Sequence, residues 1–180
     1  MRAARESELD GADMDAHLKR VDVHFEFCQK LGVEYYAFHD IDIAPEGSTL
    51  AETEKIFHDV TDHALEQQKA TGVGLLWATQ NLFSHPRFMN GASTNPDLGA
   101  FSWACAKTRM ALDAGFKLGA ENHVFWGGRE GFASYLNTDI RKELDNGRGL
   151  MPPKETEMEV FKEPDNLEEI KSFCSTTYGA

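Results

Sequence analysis

The stretch MDAHLKRVDVHFEFCQKLGVEYYAFHD, residues 14–40, decides how this chain is read. Met14, Leu18, Val21, Phe25 and Cys28 recur at steps of four, three, four and three, which is one face of an amphipathic helix predicted over 12–31. Gly32 follows Leu31 where a left-handed helix cap belongs. VEYYAF, residues 33–38, is β-branched and aromatic and reads as a buried strand, with the polar loop HDIDIAPEGS after it.

Outward from that stretch the same unit returns. Thr49 and Glu52 have the spacing of a capping box, opening a helix that turns Ile56, Phe57, Val60 and Ala64 inward and ends at Gly72. VGLLW, residues 73–77, is the second strand, and ATQNLFSHPRFMNGAST its long exit loop. Asn95-Pro96 reads as an N-cap followed by proline at the first helical position. Phe101, Cys105, Thr108 and Leu112 line that third helix, and Gly119 closes it. HVFW, residues 123–126, is the third strand, GGREG its exit loop, and a fourth helix is expected from about Phe132 to Leu144.

Strands separated by helices must run parallel, because a hairpin needs only a tight turn. The fold class is therefore α/β, with about three parallel strands alternating with helices: either an open doubly wound sheet or an arc of a (β/α)8 barrel. A complete barrel takes about 250 residues, so three strands make only part of one. Residues 1–146 are expected to form this domain. The stretch 147–180 has a different texture, without sustained apolar periodicity and with Pro152-Pro153 opposing a helix, and is expected to be disordered or partly helical. Glu155, Glu157, Glu159 and Glu163 in it alternate beside Lys154 and Lys162, which fits a solvated segment better than a metal site.

Thirty acidic against eighteen basic residues give a formal charge of −12, which repels nucleic acid and anionic lipid. No apolar run approaches a bilayer span and the first residues lack an apolar leader core, so the expectation is a cytoplasmic protein without nucleic-acid or membrane partners. Three widely spaced cysteines without a CxxC pair fit buried thiols in a reducing compartment.

In parallel α/β architectures reactive groups sit just past the carboxyl ends of the strands. The first end offers His39, Asp40 and Asp42, the second Trp77 and Thr79, the third Trp126 and then GGREG. A histidine beside a carboxylate suits proton transfer between hydroxyl oxygens, and suits equally a loop residue paired with an aspartate. Trp77 and Trp126 could wall a dry sugar pocket or simply fill core. GGREG could present amides to an anion but lacks the full G-x-G-x-x-G spacing.

FHDIDIAPEG (38–47), LLWATQNLFSHPRFMNGASTNPD (75–97) and ENHVFWGGREGFASYLNTDIRKE (121–143) closely resemble blocks of the longer, class II type of xylose isomerase, in the same order. That resemblance runs from about Arg20 to Glu143 and implies a partial (β/α)8 TIM barrel. It also implies an aldose–ketose isomerase that interconverts D-xylose and D-xylulose. It assigns ring opening to His39, oriented by Asp42, and the sugar pocket to Trp77, Thr79, Val124 and Trp126. It further implies a hydride shift assisted by two divalent cations (Mg2+, Mn2+ or Co2+), but the blocks with the family's metal ligands and catalytic lysine have no counterpart here. No metal ligand is assigned. The expected partners are an aldose sugar and, through an unpaired parallel edge, further copies or full-length subunits. Two alternatives stand beside an active isomerase. One is an inactive fragment or pseudoenzyme; the other is a sugar-phosphate barrel, whose phosphate clamp would fall to Arg87 and Arg129.

Overall fold

In a computed structural model of the chain, residues 13–127, 130, 136, 139–143 and 145 are described. The elements run α1 (Met14–Leu31), β1 (Tyr35–His39), α2 (Asp40–Ile43), α3 (Leu50–Thr71), β2 (Gly74–Thr79), a 3-10 turn (Pro86–Phe88), α4 (Leu98–Lys117) and β3 (Asn122–His123). The strands form one sheet in the order β1-β2-β3, and both pairings are parallel. With α3 and α4 as the connections, this is the alternating α/β architecture expected of a barrel segment.

The chain divides into two compact units. One holds the described residues up to Thr79 together with Met110–Val124, the other Gln80–Arg109 together with the described residues from Phe125.

In the first unit the sheet's helix-facing side carries the core. Phe25 of α1 packs edge-on against Tyr36 of β1 at 4.7 Å, Tyr36 stacks with Phe38, and Phe38 meets Phe57 of α3 edge-on at 6.4 Å. Val60, Ala64, Leu75 and Ala78 are buried with them. Asp22 of α1 ties to His63 (2.6 Å) and Gln67 (2.8 Å) of α3. Lys117 pairs with Asp62 at 2.6 Å, which joins the end of α4 to α3. The second unit has its own small core of Leu82, Phe88, Ala92 and Ala104 with Trp103 packed against it.

Several local expectations hold. Gly32 and Gly72 cap α1 and α3 in the left-handed region (φ 68° and 75°), where any side chain is strained, and Gly119 follows α4 at φ 66°. Thr49 accepts the Glu52 amide, while the Glu52 carboxylate accepts from both the amide and the hydroxyl of Ser48. Those bonds hold its pKa below the ordinary carboxylate value. Cys28 and Cys105 are both buried.

Other expectations need correction. On α1, Ala16 and His17 are buried where the periodicity points to Met14 and Leu18, because His17 Nδ1 reaches the Ile43 carbonyl at 3.0 Å. The stretch after β1 is not all loop: Asp40–Ile43 makes a helical turn. The cap of α4 is Asp97, whose carboxylate accepts the Ala100 amide at 2.8 Å; Asn95 instead accepts the Asp97 amide and shapes the approach. The third strand is Asn122–His123 rather than 123–126, with the Val124 amide adding a bond to the Ala78 carbonyl. Of the expected fourth helix, residues 140–143 are helical, with the Asp139 side chain accepting the Lys142 amide, and residues 132–135, 137, 138 and 144 lie outside the described residues. The stretch 147–180 lies outside the described residues. No helix among them is long and apolar enough to cross a membrane.

Candidate active site

The carboxyl ends of β1 and β2 carry the candidate site in the first unit. Along β1, Tyr36 and Phe38 turn to the helices, which leaves Ala37 and His39 on the opposite face. On β2 strict alternation would send Trp77 to the helix side with Leu75. A register irregularity prevents it: Tyr36 pairs with Leu75 but Ala37 pairs with Trp77, so Leu76 is left over. One extra residue in a strand reverses the side on which every later side chain emerges. Trp77 therefore shares a face with His39, their rings 6.2 Å apart at 82°.

His39 is both the last residue of β1 and the N-cap of α2. One carboxylate oxygen of Asp42 accepts the His39 amide and lies 3.0 Å from the ring Nδ1. A helix turn begun immediately after the strand is what brings a residue three positions on back to the imidazole. With Nδ1–H donating to the carboxylate, Nε2 of the neutral ring is left as a base. His39 is about a third exposed and Asp42 more than half, so the pair orients the ring more than it stabilises the fold.

Thr79 is 1% exposed, and its hydroxyl donates to the Val124 carbonyl. Together with the Val124 amide bond to Ala78, this fastens the exit of β3 to the end of β2. Trp126 belongs to the second unit and is 55% exposed. Arg87, also of that unit, sits over the Trp103 ring with its guanidinium carbon 3.9 Å from the centroid and donates from Nε to His85 Nδ1 at 3.0 Å. It is thus held against an indole, which does not leave it open as half of a phosphate clamp. Arg129 lies outside the described residues.

Two features escape a reading of the sequence alone. His123 of β3 has its pKa pushed down to about 4 by burial, so it is neutral at pH 7. Nothing in HVFW distinguishes it from a surface histidine. Glu130 of GGREG is held by a loop 36–38 residues earlier, a contact that no local pattern announces.

With this geometry in view, the chain can be set beside known proteins. It is 52% identical over 136 residues to the xylose isomerase of Lactococcus lactis subsp. cremoris, which covers 76% of this chain and 35% of that one. To the xylose isomerase of Thermotoga maritima it is 53% identical over 133 residues, 74% of this chain and 30% of the relative. The matched part belongs to the xylose isomerase family. The enzyme of Sinorhizobium fredii gives the same picture, 52% over 132 residues. The chain spans about a third of the length of the curated relatives it matches. No family model matches it. Three parallel strands alternating with helices, at this identity to xylose isomerases, make it part of a TIM barrel.

Among the described residues no three His, Cys, Asp or Glu side chains converge on a point where a metal ion could sit. The divalent cations that the family implies are not fitted by the described residues.

Proposed function

We propose that this chain carries the ring-opening part of a xylose isomerase-type aldose–ketose isomerase acting on D-xylose. The observation that carries the reading is the His39–Asp42 pair, 3.0 Å apart at the end of β1, with the Trp77 indole set edge-on 6.2 Å away. Asp42 holds the Nδ1 proton. Nε2 then takes the proton of the anomeric hydroxyl and delivers it to the ring oxygen, and the C1–O5 bond breaks to give the open aldehyde. Trp77 supplies a flat apolar wall against which a sugar face stacks, the family resemblance assigns Trp126 a stacking role of the same kind, and Thr79 and Val124 keep the β3 exit against β2.

Ring opening can be measured without the later hydride shift, because it also interconverts the α and β anomers. Proton NMR of freshly dissolved α-D-xylose should show anomer exchange accelerated by the protein. His39→Ala should reduce that acceleration on the order of a hundredfold. Wild-type protein that leaves the spontaneous rate unchanged would overturn the proposal. Conversion to D-xylulose in the presence of Mg2+ or Mn2+ is the companion assay for the complete reaction.

A second reading is an inactive chain that associates with full-length xylose isomerase subunits. It draws support from the sheet, whose β1 ends without a further neighbour among the described strands. Alongside β1 lies an apolar cavity of about 440 Å³ lined by Phe25, Phe27, Tyr36, Phe38 and Ile43, among others. Tyr36, which lines this cavity, has a buried hydroxyl with no hydrogen-bond partner among the described residues, and the β1 edge itself offers backbone groups to an added strand. Co-purification with a full-length isomerase, without any effect on xylose anomers, would favour this reading.

A further inference from the structure

GGREG, a weak anion-site signal in the sequence, carries the opposite arrangement in the structure: its own carboxylate is the bound anion. Glu130 receives five hydrogen bonds from the loop after β2. Ala92 N–H (2.9 Å), Thr94 N–H (3.1 Å) and Thr94 Oγ1 (2.7 Å) donate to Oε2, while Ser93 N–H (3.2 Å) and Ser93 Oγ (3.0 Å) donate to Oε1. Three consecutive amides curled around one acceptor make an anion nest, and bonds to an ionised carboxylate are about twice as strong as neutral ones. The nest is anchored from behind. Ala92 is fully buried in the cluster with Leu82, Phe88 and Ala104, and Asn95 Nδ2 donates to the Gly91 carbonyl at 2.6 Å. At the other end, Glu130 folds back over the chain next to Trp126: a Cβ on Gly127 would sit 3.4 Å from Glu130 Cγ.

We propose that Glu130 is the positioning residue of the Trp126 wall, clipping the segment that leaves β3 onto the 92–94 nest. Trp126 is 55% exposed and gains little orientation from packing, so the clip four residues later supplies what burial does not. The assignment of Trp126 to the sugar pocket rests on the function proposed above; the clip and its hold on the indole do not.

The test compares the wild-type chain with Glu130→Ala and Glu130→Gln. Glu130→Gln keeps the side-chain volume and one acceptor oxygen but turns an amide donor toward donors. Hydrogen exchange reads the three nest amides directly, and acrylamide quenching reads Trp126 as the fraction of emission lost in Trp126→Phe. Glu130→Ala should speed exchange at 92–94 by about tenfold and raise Trp126 quenching, with Glu130→Gln moving both the same way by less. Phe88→Leu, which weakens the core behind the nest, should lower the melting temperature without changing Trp126 quenching. A D-xylose titration followed through the same emission should give a dissociation constant about fivefold weaker in Glu130→Ala. Unchanged exchange at 92–94, or unchanged Trp126 quenching, in both Glu130 variants overturns the inference. An emission that ignores D-xylose in the wild type instead refutes the sugar-pocket reading and leaves the clip to be judged on the other two measurements.

Discussion

His123 makes the stability of this fold depend on pH in a calculable way. Burial pushes its pKa from the ordinary 6.5 to about 4. The folded state therefore holds the ring neutral between those values, while the unfolded chain takes up a proton. The sign follows directly: stability is intact above pH 6.5 and is lost as pH falls toward 4. A tenfold difference in proton affinity between the folded and unfolded chain is worth about 1.4 kcal/mol, so the full loss is about 3 kcal/mol. The accessible window is narrower, because the chain's isoelectric point of about 4.9 brings poor solubility. Between pH 7.0 and 5.5 the same linkage relation gives a loss of about 1 kcal/mol, or about 3 °C in melting temperature for a domain of this size. Burial also lowers the pKa values of His17 and His24, so these residues add to the effect in the same direction. Urea unfolding followed by circular dichroism at the two pH values measures the sum, and His123→Gln isolates the part due to His123. If His123→Gln has the same pH dependence as the wild type, the ring is not buried as described and the pH dependence has another source.

Two further outcomes follow from the site and the core. Asp42→Asn replaces the acceptor beside His39 Nδ1 with an amide that can also present a donor, so the preferred tautomer is lost; anomer exchange measured by NMR should slow by about 10–100-fold while circular dichroism stays unchanged. Phe57→Ala empties a site that is 2% exposed and meets Phe38 edge-on, and should cost about 3–5 kcal/mol in urea unfolding, enough to unfold a marginal chain; a loss below about 1 kcal/mol would mean that this core is loosely packed.

Much of the architecture was legible because it is written in local chemistry. The step of three and four that buries Val21, Phe25 and Cys28, the capping threonine at 49, and glycines at 32, 72 and 119 that take up positive φ each depend only on residues a few positions apart. Parallel pairing followed from those elements, since helices between strands leave no other choice. The pairing of His39 with Asp42 was legible too, being a contact across three residues. Where the sequence misled, the competing partner was distant or the register shifted. His17 is buried because the Ile43 carbonyl waits for it, and the third strand is short because its ladder pairing with β2 extends over Asn122 and His123 alone among the described residues.

The sequence by itself thus determined the order of helices and strands, their direction, the family, and which residues stand at the strand ends. Tertiary structure alone decided which way those residues face. Leu76, passed over in the pairing of β1 with β2, turns Trp77 toward His39, and a nest at 92–94 claims the carboxylate of Glu130. The physical reason is range. Propensity and capping act within a turn of the chain, whereas the face of a strand and the partner of a carboxylate are fixed by groups dozens of residues away, brought near only once the core has closed.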